Sequence, residues 1–228
     1  MKRLILIAII LSSNIFISSS EAQVHRIILP EEKQVYFNYE LDPINGISTG
    51  YARGFLLDFE RFELHLTAFA DIMMPISLLD FNHYRIRLGN RMKIKNFGKW
   101  HILNRLTLLD TSAENDLFFG HTVSLDESIL AGYFENRWHA SFEAGFTKFL
   151  VSYIKHNSEW FRVAGFNEAK SGWYKSMGGN FTFGINGGYQ FNDTVETTLK
   201  IHIRKTQSFN SIDGPPVYGA VGINFYYN

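Results

Sequence analysis

Hydrophobic and polar residues alternate with a period of two through most of the chain. From Phe181 the odd positions read Phe181, Phe183, Ile185, Gly187, Tyr189 and Phe191, against Asn180, Thr182, Gly184, Asn186, Gly188 and Gln190. After a break at Asn192-Asp193, Val195, Thr197, Leu199, Ile201 and Ile203 alternate with Glu196, Thr198, Lys200, His202 and Arg204. Successive side chains of a β-strand point to opposite faces, so this spacing predicts two strands joined by a tight turn. Each is long enough to cross a bilayer, which takes about 9–11 tilted residues. One face is apolar and the other polar or charged, as a closed cylinder with hydrocarbon outside and water or packed polar groups inside requires.

The same pattern recurs from the start. Residues Gln23–Lys33 are mixed and contain Pro30, and read as a short periplasmic lead-in. Val35, Phe37, Tyr39 and Leu41 form a first apolar face, followed by an Asn45-Gly46 turn signal. In the next segment Tyr51, Phe55, Leu57 and Phe59 share a face that Arg53 interrupts. Phe62, Leu64, Leu66, Ala68 and Ala70 face outward, with Glu63, His65, Thr67, Phe69 and Asp71 inward. Asp71–Asn82, with Pro75, reads as a loop. Tyr84, Ile86, Leu88, Met92 and Ile94 make the next apolar face, opposite a basic set of His83, Arg85, Arg87, Arg91, Lys93 and Lys95.

Trp100–Leu109 and Ser128–Phe134 read as strands whose facing the pattern leaves open. Between them, 110–127 is polar and reads as a long connection, with a strand extension over Phe118–Leu125 as an option. Trp138, Ala140, Phe142, Ala144 and Phe146 then alternate with His139, Ser141, Glu143, Gly145 and Thr147. Lys155–Met177 reads as a long aromatic loop and 206–216 as the last one. Val217, Gly219, Val221, Ile223, Phe225 and Tyr227 share the final face. The count is ten strands, with eight and twelve as the alternatives. Turns near Glu60, Phe97, Asn136 and Asn192 are short and most of the others long, an asymmetry typical of transmembrane barrels.

Composition narrows the class. The chain of 228 residues has no cysteine, which excludes disulfides and thiolate metal sites. Twenty-two basic and 22 acidic residues cancel, so no basic footprint points to nucleic acid. Lys2-Arg3, the apolar stretch Leu4–Ile17 and Ser20-Glu21-Ala22 have the build of a signal peptide cleaved after Ala22. No later run of about 18 apolar residues exists, so a membrane-resident product is expected to be a closed barrel.

The ending Phe225-Tyr226-Tyr227-Asn228 resembles the aromatic C-terminal signature of Gram-negative outer-membrane β-barrels. With the signal sequence and the hairpins, 34–228 is similar to a small member of that class. The resemblance implies an all-β fold, an antiparallel transmembrane β-barrel of about ten strands in the outer membrane. It also implies outer-membrane lipid and, through the C-terminal strand, the barrel-assembly machinery as partners. No cofactor or ligand is indicated, and architecture alone does not fix function. A structural, adhesive or narrow-transport role, without enzymatic activity, is the expectation.

Glu63, His65, Arg85, Arg87, Glu143, Glu196, Lys200, His202 and Arg204 are the inward charges, lining a solute path or pairing as a polar plug. The alternative is a lipid-modifying hydrolase. Outer-membrane lipid A deacylases carry His-x-Ser-Asn on a late strand, whereas here His202 is followed by Ile203-Arg204. His139, Ser141 and Glu143 form the one His-x-Ser-x-Glu row on a strand face, with Phe142 where that motif has Asn. A surface protease of the omptin type would draw on Asp71, Asp110, Asp126 and His156 near expected rim loops. The histidines are scattered without metal-ligand spacing, so no metal is expected. Membranes washed with sodium carbonate should retain the protein; its release would favour a soluble barrel with apolar side chains inward.

Overall fold

The computed structural model describes residues 28–41, 45–59, 62–76, 83–114, 118–156, 171–175, 178–207 and 217–228. The expected signal peptide and the lead-in up to residue 27 lie outside them. The strands are β1 (Lys33–Leu41), β2 (Gly46–Phe59), β3 (Phe62–Pro75), β4 (Tyr84–Phe97), β5 (Trp100–Glu114) and β6 (Phe118–Phe134). They continue as β7 (Trp138–His156), β8 (Gly172–Lys175), β9 (Gly179–Asn192), β10 (Val195–Thr206) and β11 (Val217–Tyr227). Every pairing among them is antiparallel, and β11 returns to pair with β1 from Lys33↔Tyr227 to Leu41↔Gly219. The ring therefore closes with ten strands. The short β8 lies outside it, paired only with the far end of β7.

Facing follows the alternation. Ile185 is 59% exposed on the outside, whereas Glu143, facing the lumen, is 1% exposed. Phe37, Leu199, Val221 and Phe225 join Ile185 on the exterior; Ser128, His101, Glu196 and Asn224 are buried inside. This is the inverse of a soluble protein, and it answers the facing left open above. On β5, His101, Leu103, Arg105 and Thr107 point inward; on β6, Asp126, Ser128, Leu130 and Phe134 do.

Three connections differ from expectation. β3 continues through Asp71 to Pro75, so the loop placed at Asp71–Asn82 starts later. Residues 110–127 are mostly strand, because β5 and β6 pair as far as Glu114↔Phe119. β7 runs to His156 and β8 occupies part of the stretch read as a loop at Lys155–Met177. Lys95, expected inward, faces out. The β4–β5 register jumps between Lys93 and Lys95, so Ile94 is an extra residue that reverses the facing after it. Lys95 Nζ accordingly sits 4.6 Å above the ring of the exposed Phe97.

The ends of the cylinder are unlike. At one, turns are tight: Gly98 takes the left-handed backbone (φ 64°) that the β4–β5 turn needs. At the β9–β10 turn, Asn192 Oδ1 accepts hydrogen bonds from the backbone N–H of Thr194 and Val195. This end is also where the chain enters. Ile28–Glu32 fold back into the mouth, with Glu32 N–H donating to Leu29 O and Gly54 N–H to Glu32 O. Ile28 is buried there against Ala52 and Tyr226, with Tyr36 and Phe69 beside them. The lead-in thus ends inside the barrel rather than below it.

Arginine at a lipid-facing position costs more the deeper it lies. Ile185→Arg, at the middle of β9, should lower unfolding free energy in bilayers by about 2–4 kcal/mol. Thr197→Arg, closer to the tight-turn end, should cost about 0–1 kcal/mol, measured by the same urea titration.

Candidate functional site

Three polar clusters fill the lumen. The first joins β1, β3 and β4. Alternation on β4 directs Arg85 and Arg87 inward, and the β3–β4 register sets Arg87 opposite Asp71. Arg87 Nε donates to Asp71 Oδ1 at 2.6 Å, and its terminal nitrogen lies 2.5 Å from Glu40 Oε1. Arg85 pairs with the other oxygen of Glu40. Tyr36 completes the set, its hydroxyl donating to Asp71 Oδ2 at 2.7 Å. The intervening β2 permits this by carrying Gly50 inward: a Cβ there would strike both the Tyr36 phenol and Asp71.

The second cluster spans β5, β6, β7, β9, β10 and β11. Arg105 lies 2.5 Å from Glu143 Oε1 and 3.3 Å from Asp126 Oδ2. Asn186 Nδ2 donates to Glu143 Oε2 at 2.8 Å, which turns its amide oxygen toward His202 Nε2, 3.0 Å away. An amide oxygen only accepts, so His202 carries a proton on Nε2, assigned from this network. Its Nδ1 is 3.0 Å from the Tyr218 hydroxyl. Thr147 Oγ1 donates to Asp126 Oδ1 at 2.7 Å.

The third lies near the tight-turn end. Glu196 Oε2 accepts hydrogen bonds from Tyr226 (2.5 Å) and Asn224 (2.7 Å), and its Oε1 is 3.3 Å from His139 Nδ1. His139 also stacks on Phe134 with rings 14° apart.

The structure places His139, Ser141 and Glu143 along one row of β7, facing the lumen, without joining them. Neighbours on one face of a strand are about 7 Å apart along it. His139 is engaged by Glu196, and Glu143 by Arg105 and Asn186; no hydrogen bond links Ser141 to either. A nucleophile–base–carboxylate relay needs those links, and the row does not make them. Of the expected lumen charges, Arg85, Arg87, Glu143, Glu196, Lys200, His202 and Arg204 all line one cavity. Glu63 instead sits exposed near the β2–β3 turn, and His65, half-buried beside it, also lies outside that cavity.

Asp71 and Asp126, weighed as rim acids, are inside the lumen in ion pairs. Asp110 pairs with His121, and His156 meets Ser171 at the far end of β7. Glu40, Tyr36 and Arg105 are lumen residues not singled out by pattern alone. Arg91 carries a signal, continuing the row of Arg85 and Arg87 on β4. Among the described residues no group of three or more His, Asp or Glu is placed to hold a metal.

The cavity enclosed by these clusters measures about 250 Å³. It reaches from Gln34 and Tyr226 near the tight-turn end to Arg85 and Tyr218 toward the other.

No family model matches the chain, and no curated protein does. Among solved structures, an outer membrane channel from Pseudomonas putida F1 is similar at 8% identity and TM-score 0.49, over 92% of this chain and 100% of that one. The KdgM porin aligns at 7% identity and TM-score 0.32, over 86% and 99%. The closed ring of ten antiparallel strands, apolar outside and charged inside, gives this chain the architecture of a small outer-membrane β-barrel.

Removing one partner of a buried ion pair is costlier than removing both. Arg105→Met should therefore lower unfolding free energy by about 3 kcal/mol, and adding Glu143→Leu should restore most of it. Urea unfolding followed by tryptophan fluorescence measures both.

Proposed function

We propose that the protein resides in the outer membrane of a Gram-negative bacterium and provides a narrow, selective path for small polar solutes. The observation that carries this reading is the cavity of about 250 Å³, lined along the barrel axis by charged side chains. A lumen kept only as a stability plug would gain from closing such a space, since voids in a packed interior are costly. Ten strands leave too little width for general diffusion, so passage depends on fit and charge.

In this reading residues 1–22 direct export, and the tight turns and both termini of the barrel chain face the periplasm. Surrounding lipid and the assembly machinery, the latter through β11, are the partners. The periplasmic mouth is narrowed by two apolar groups, Leu103–Leu130–Phe134 on one wall and Ile28 with Ala52 and Tyr226 on the other. Ile28–Glu32 acts as the removable part of that constriction.

Purified protein in planar bilayers should give small, uniform conductance steps. Deleting residues 23–32 should raise the step size about twofold or more, as the cross-section there widens. Silence of both forms in reconstituted, correctly folded samples would leave only a structural or adhesive role.

A further inference from the structure

Charge is not balanced locally inside the cavity. Its five carboxylates are each committed. Glu40 serves Arg85 and Arg87, and Asp71 serves Arg87 and Tyr36. Asp126 serves Arg105 and Thr147; Glu143 serves Arg105 and Asn186. Glu196 serves Tyr226, Asn224 and His139. Among the described residues, three cations on the cavity wall have no ion pair: Arg91, Lys200 and Arg204. Arg91 and Lys200 lie in each other's field and in that of Arg105, a concentration of like charge enclosed by the barrel. Glu143 also acts on both, but its two oxygens are taken by other groups. The Nε of Arg91 is buried without a hydrogen-bond partner.

Enclosed cations without counter-charge are unfavourable, and the space beside them is polar. We infer that the cavity is a binding site for a small oxyanion, a carboxylate or phosphate, held by Arg91 and Lys200. The arginine supplies a planar fork matched to two oxygens, and the lysine a point charge. Arg204, two repeats of the alternation beyond Lys200 toward the long-loop end and 5.0 Å from the Tyr218 ring, is the cation an anion entering from that side meets first. A volume of about 250 Å³ is far more than a single water needs. That accommodates inorganic phosphate or a small di- or tricarboxylate and is too small for a folded peptide. The inference deepens the solute-path reading by naming the charge and size of the solute, yet binding does not itself require passage.

The test is isothermal titration of the refolded full barrel in micelles with inorganic phosphate and, separately, citrate. Saturable binding of at least one is expected, weakened about tenfold or more in the Arg91→Gln/Lys200→Gln double variant. Arg91→Lys should recover part of it, and Lys99→Gln, in the tight β4–β5 turn outside the cavity, should leave it unchanged. Heat-modifiable gel migration identifies folded samples. In bilayers under a salt gradient, the wild type should show an anion-selective reversal potential that the double variant moves toward zero. Binding without conductance would sink the path and keep the site. Conductance with no binding of either anion, or binding that the double variant leaves untouched, would overturn the site.

Discussion

Inside hydrocarbon a backbone N–H or C=O has no water to turn to, and each one left unpaired costs several kcal/mol. A sheet with two edges cannot meet that demand; a ring can. The return of β11 to β1 is therefore the condition under which the other pairings are stable in a bilayer. It also sorts the side chains. Once the ring is closed, alternation divides every strand into one row against lipid and one row against the axis. Ile185 and Asn186, adjacent in sequence, end in unlike solvents for this reason alone.

The axial rows then face a second difficulty, that of charges held away from bulk water. The barrel resolves most of it by pairing across non-neighbouring strands, as with Glu40 on β1 and Arg85 and Arg87 on β4. Small inward residues on β2, one of the two strands between them, leave the room: Gly46, Ser48 and Gly50. Such pairs cement the wall but take up the carboxylates. The arginines and lysine left over then give the interior its sign, although the whole chain is neutral.

Much of this could be read from residue order. β9, β10 and β11 follow their alternation closely, because one row of each lies against hydrocarbon along most of its length. The 110–127 region could not be read so. Thr111, Ser112, His121 and Thr122 lie toward the far ends of β5 and β6, where both faces are polar and the period carries no contrast. The extra residue at Ile94 was hidden too, since a one-residue bulge leaves an apolar–basic row looking continuous while reversing Lys95. Inward charges were recognisable as a class, but their partners were not. Arg105 finds Glu143 only through the chained registers of β5, β6 and β7. Those depend on where each turn falls, which no local spacing records.

The seam between β1 and β11 joins the segments most distant in the chain. Closing a loop costs about (3/2)RT ln n, so bringing Lys33 to Tyr227 takes only about 2 kcal/mol more than forming a hairpin of about 20 residues. A ladder running from Lys33 to Leu41 recovers that easily. The penalty falls early and the reward late, however, because no rung contributes until the two ends meet. Open, curled sheets with β1 and β11 apart are thus the natural waiting state of this polypeptide. How quickly the cylinder matures depends on what brings those two margins together in the membrane, more than on how firmly they hold afterwards.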